Sequence, residues 1–73
     1  MIVNVEFTAG ESIENAIREA LEFAERNNCM VRSDFNDVSM LFFSSPVVGR
    51  TMEDRVDFFM KQYRKRRLKD DKH

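Results

Sequence analysis

The chain has 73 residues and a mass of 8.7 kDa, 42% apolar and 34% charged, with one Cys, two Gly, one Pro and no Trp. That is the size of one small domain, too short for a multidomain enzyme and without the cysteines of a disulfide scaffold. The formal charge of −1 hides a split: residues 1–49 set eight acids against Arg18, Arg26 and Arg32, a net of −5, while residues 50–73 set nine bases against five acids, a net of +4.

Met1, Val3, Val5 and Phe7 alternate with Ile2, Asn4 and Glu6, a period of two that predicts a first strand, and Thr8-Ala9-Gly10 breaks it. From Ser12 the period changes. Ile13, Ala16, Ile17, Ala20, Leu21 and Ala24 fall within about 140° of arc on a helix, with Glu14, Arg18, Glu22 and Arg26 opposite them. Ser12 is the expected N-cap, Glu14 with Arg18 and Glu22 with Arg26 are expected i,i+4 pairs, and Asn27-Asn28 is the expected stop. Cys29 to Phe35 and Val38 to Phe43 are rich in β-formers and are separated by Asn36-Asp37, which predicts a hairpin with Phe35 opposite Val38. Pro46 and Gly49 mark a connection. Thr51 followed by Asp54 has the capping-box spacing that opens a last helix, with Met52, Val56, Phe59, Met60 and Tyr63 as its apolar stripe. Beyond Tyr63 the stripe gives way to Arg66 and Arg67, so the helix is expected to project with solvated basic turns.

The order is β-α-β-β-α. Three strands and two helices predict an α+β fold, a two-layer sandwich whose three-stranded sheet carries both helices on one face. One domain spans residues 1–69, and residues 70–73 are expected to form a disordered charged tail. The covered sheet face holds Val3, Val5, Phe7, Val31, Phe35, Val38, Met40 and Phe42. The open face holds Ile2, Met30, Leu41 and Phe43, a candidate homodimer contact, among Asn4, Glu6, Arg32 and Asp34.

Catalysis finds little to work with. The one histidine, His73, is the last residue, and Cys29 reads as a strand-start side chain facing the core. One thiol and one terminal histidine make no structural zinc site, so neither a metal nor a cofactor is expected and no residue is assigned as catalytic. The longest apolar runs, such as Met40-Leu41-Phe42-Phe43, fall far short of the roughly 20 residues that cross a bilayer. Met1-Ile2-Val3-Asn4 has no basic n-region, so a signal peptide is not expected and a cytoplasmic location is.

Met60 to Lys69 is the strongest electrostatic feature, with six bases and no acid. Phe58 lies well outside the apolar stripe of its own helix, near Lys61, Lys65 and Lys69 on the helical wheel. An aromatic among cations suits a protein hot spot, with Phe58, Lys61, Arg64, Lys65 and Lys69 as candidate partner-binding residues, unless the Ser44 to Arg50 connection folds over Phe58. The same cations suit phosphate contacts to nucleic acid, against which stand the acidic first helix and a pI near 5.8. Arg50, Thr51 and Arg55 at the start of the last helix are a candidate small-anion or nucleotide site, although capping alone accounts for Thr51.

The succession ENAIREALEFAERNN, CMVRSDF, FND and VSMLFF, over residues 12–43, resembles small accessory proteins of tailed bacteriophages and prophages, in which the turn often reads Phe-Asn-Gly where this chain has Asp37. The resemblance implies a non-enzymatic protein that binds and modulates a host or defence macromolecule inside a bacterial cell. It implies no particular functional residue.

Overall fold

The computed structural model describes residues 1–7, 10–35 and 38–70, with side chains through Arg67. Its elements are β1 (Ile2–Asn4), α1 (Ile13–Asn27), β2 (Met30–Phe35), β3 (Val38–Phe42) and α2 (Met52–Asp70), an α+β order β-α-β-β-α. The sheet runs β1-β2-β3, with β1 parallel to β2 and β2 antiparallel to β3. Residues 71–73, most of the expected tail, lie outside the described residues, and Asp70 is still helical.

Local chemistry sets the helix ends where the sequence predicts them. Ser12 is extended at φ −67°, ψ 146°, and its hydroxyl accepts the Asn15 N–H at 3.2 Å. Asn28 sits in the left-handed region at φ 49°, ψ 52°, where its N–H returns to the Ala24 carbonyl, and Cys29 N–H donates to the same oxygen at 3.1 Å. Thr51 Oγ1 accepts the Asp54 N–H at 3.1 Å and opens α2.

Packing follows the two periods. Ala16, Ile17, Ala20, Leu21 and Ala24 of α1 are buried against Val31, Val38, Met40 and Phe42 of the sheet and Val56, Phe59 and Tyr63 of α2. Alternate residues Met30, Arg32, Asp34 and Ser39 are exposed, so both helices cover one sheet face. Phe42 is fully buried and meets Phe59 edge-on at 5.2 Å. Ser33 is the one buried polar residue among those described.

That serine explains why β1 is shorter than the alternation predicts. Val5 N–H still bonds the Arg32 carbonyl at 3.0 Å, but the Val5 carbonyl accepts from Ser33 Oγ at 2.8 Å, a side-chain bond where a continuing ladder needs a backbone donor. The chain then leaves the sheet, and Phe7 stacks on Phe35 at 5.2 Å.

Three expectations are corrected. Phe43 does not continue β3 onto the open face: the strand ends at Phe42, and the Phe43 ring turns to meet Phe59 edge-on at 5.6 Å. Arg18 does more than sit near Glu14 on its own helix, since it forms a two-pronged bond to Glu53 of α2 at 2.5 and 3.1 Å. This hydrogen-bonded partner raises the Arg18 pKa and lowers that of Glu53. The basic end of α2 is not simply solvated either, because Arg66 donates to the Ser39 carbonyl of β3 and Arg67 donates to Tyr63 Oη at 3.2 Å. Among the described residues no helix is long and apolar enough to cross a membrane.

Candidate interaction surface

The hydrogen-bonding direction of each strand residue follows from two bonds on the far side of β2. Met30 N–H donates to the Met1 carbonyl and Arg32 O accepts from Val5, each at 3.0 Å, so even-numbered residues of β2 face β1. Odd-numbered residues Val31, Ser33 and Phe35 therefore face β3, where their partners are Phe42, Met40 and Val38. Ser39 and Leu41 must direct their N–H and C=O groups away from the sheet. The bond from Arg66 to the Ser39 carbonyl agrees with this, since it caps one of those outward groups. No described residue caps Leu41.

Beside this open edge runs the flank of α2 that carries Phe58. The helix lies antiparallel to β3: Arg66 reaches Ser39 at one end, and Phe59 meets Phe42 and Phe43 at the other. A groove of about 300 Å³ separates them, lined by Met40, Leu41 and Phe43 on one side and Phe58, Phe59, Gln62 and Arg66 on the other. Phe58 is 36% exposed and rests edge-on against Phe59 at 5.0 Å. The described lining contains no residue of the 44–50 connection.

Positions 58, 61, 62, 65 and 69 share one side of α2 at helical spacing. Lys61 is held by Asp57 at 3.0 Å, and the Lys69 side chain lies outside the described residues. Arg64 and Lys65 are exposed and have no ion-pair partner among the described residues. The surface is therefore an apolar groove with cations along its helical rim.

The other candidates separate from this surface. Ile2 and Met30 are register neighbours on the open sheet face, 48% and 40% exposed, while Leu41 belongs to the groove and Phe43 has turned towards α2. At the start of α2, Thr51 is committed to its cap, and Arg55 donates to the Gly49 carbonyl at 2.9 Å and the Arg50 carbonyl at 3.5 Å. Glu25 lies 3.9 Å from the same guanidinium. Glu53 and Asp54 occupy the first turn, where their charge opposes an anion. Arg50 is exposed, and of the two arginines it alone has its guanidinium uncommitted among the described residues.

No protein-family model, curated protein or solved structure matches the chain. The site therefore has to be read from its own geometry. One cavity went unforeseen by the sequence, a hollow of about 590 Å³ between the end of α1, the start of β2 and the connection, lined by Cys29, Met30, Phe43 and Arg55. Its walls come from several stretches of the chain, among them the end of α1, the start of β2, the connection at Ser44 and Pro46, and Arg55 of α2, and periodicity within any one of them does not show that they meet. The open edge belongs to β3 (Val38–Phe42), which ends the sheet order β1-β2-β3 and is followed by α2.

Proposed function

We propose that this chain is a non-enzymatic interaction module that acts by occupying the surface of a macromolecule, with Phe58, Lys61, Arg64, Lys65 and Lys69 as its contacts. The observation that carries the reading is Phe58, a large aromatic left one-third exposed on a rim with Lys65, which has no ion-pair partner among the described residues, above a groove open to the outside. A side chain left partly exposed in this way gains from a contact that dries it, which is how interface anchors work. The resemblance over residues 12–43 supports a phage or prophage accessory role in the bacterial cytoplasm, with a host or defence protein as the target. Ile2 and Met30 form a separate small apolar contact for a homodimer.

Nucleic acid is the second reading, favoured by the unpaired cations. Arg66 and Arg67 are engaged by Ser39 and Tyr63, which shortens the row available to phosphate. Capture from a bacterial lysate with and without nuclease, repeated with Phe58→Ala, separates the two. A partner that survives nuclease and is lost with Phe58→Ala supports the proposal. A partner lost to nuclease, or to moderate salt with a steep logarithmic slope, supports nucleic acid.

A further inference from the structure

We infer that the free edge of β3 accepts an extended acidic segment of a protein partner as a fourth strand, seated in the groove between β3 and α2. The inference rests on the interaction-module reading and deepens it by naming the chemistry of the partner. Three observations converge on it. Leu41 turns both its N–H and its carbonyl to the outside, uncapped by any described residue, which is the backbone pair that an added strand needs. Next to it the groove offers an apolar seat against Phe58, so an incoming side chain on the helical side has somewhere to go. Further along the same flank stands Lys65, exposed and unpaired, with Arg66 behind it at the Ser39 end.

The spacing fits a strand. From Phe58 to Lys65 is seven residues of helix, about 10 Å along the axis. Same-face positions of a strand two and four residues from an apolar anchor lie about 7 and 13 Å away and bracket that distance. The matching segment is thus apolar at one position and acidic two or four positions on, with its acid at the basic end of α2. Arg66 already covers the Ser39 carbonyl, so pairing centres on Leu41 and does not slide freely along the edge.

The test uses a blocked heptapeptide, Glu-Thr-Leu-Thr-Leu-Thr-Glu, whose palindrome offers the same pattern in either strand direction. Its counterpart has Lys in place of both Glu, and a single-stranded oligonucleotide serves as a third probe. The expected result is saturable binding of the acidic peptide, with amide exchange at Leu41 slowed about tenfold at saturation as a new hydrogen bond protects it. Phe58→Ala and Lys65→Glu, both exposed positions, should each weaken that binding about tenfold while leaving the far-ultraviolet spectrum unchanged. The inference is overturned if the acidic peptide does not bind, if it binds without slowing Leu41, or if the Lys counterpart binds equally well. Oligonucleotide binding that leaves Leu41 unchanged, with no peptide binding, overturns it and moves the function to nucleic acid. A nuclease-resistant, Phe58-dependent lysate partner that leaves Leu41 exchange unaltered overturns the strand addition alone and leaves the proposed function standing.

Discussion

Gly49 gives the most direct test of the packing. A Cβ built there would stand 2.7 Å from Asp54 Cβ, 2.8 Å from Arg55 N and 2.9 Å from Asp54 C, against atoms of the first turn of α2 that cannot rotate away. Its backbone does not need a positive φ, which only Gly10 among the described glycines adopts, so any cost of Gly49→Ala is a contact cost. Relieving it means moving the connection off the helix by roughly half an ångström or more, an overpacking penalty of about 1–3 kcal/mol. The same shift stretches the 2.9 Å bond from Arg55 Nε to the Gly49 carbonyl, a bond from a charged donor worth about 1.5–3 kcal/mol when lost. The two losses share one displacement and do not add in full. The lower entropy of the unfolded alanine chain returns about 0.4–1 kcal/mol, leaving a net cost of about 2 kcal/mol. In a domain of this length that lowers the melting temperature by about 10 °C or more in calorimetry. Arg55→Ala alone should destabilise as well, and the double variant should cost less than the sum. If Gly49→Ala melts within about 2 °C of the parent, the tight approach of the connection to α2 is refuted.

Further outcomes follow from other contacts. Phe42→Ala removes a fully buried ring and should cost about 3–5 kcal/mol in urea unfolding, enough to leave the domain largely unfolded if its stability is near the usual lower bound. Asn28→Ala should cost about 1 kcal/mol because it keeps the left-handed φ of 49° and loses the side chain that tolerates it, whereas Asn28→Gly should be neutral or stabilising. Two carboxylates should give opposite pH signatures. The hydrogen bond from Arg18 lowers the Glu53 pKa, so its contribution is present above the ordinary value of 4.5 and is lost as pH falls through the folded value. Partial desolvation, then a hydrogen bond with Glu19, raises the Glu11 pKa, so its contribution is present below 4.5 and is lost as pH rises through the folded value. In urea titrations across the acid range, Glu53→Gln should flatten the acid-side loss of stability and Glu11→Gln should deepen it.

The helix stripes, both N-caps and the hairpin register were legible because each rests on neighbours in sequence: hydroxyl and amide three residues apart for Ser12 and Thr51, side chains at helical spacing for Val56, Phe59 and Tyr63. What escaped rests on partners far along the chain. Arg18 finds Glu53 thirty-five residues away, and Ser33 reaches back to Val5 and shortens β1. Neither pairing has a periodic signal. Phe43 illustrates the same limit from the other side: alternation assigns it to the open face, yet the strand stops one residue earlier and the nearest large apolar surface is Phe59. Phe58 was legible as an outlier of its own helix, but the groove below it required the antiparallel course of α2 along β3.

The brevity of β1 divides the molecule by order of assembly. Strands β2 and β3 pair between adjacent stretches of chain, whereas the three residues of parallel ladder must wait until α1 has formed and brought them back beside β2. The β1 ladder therefore closes across a longer loop than the hairpin does, at a larger entropic cost. Made before α1 and β2, the N-terminal strand has no strand to bind until β2 has followed it.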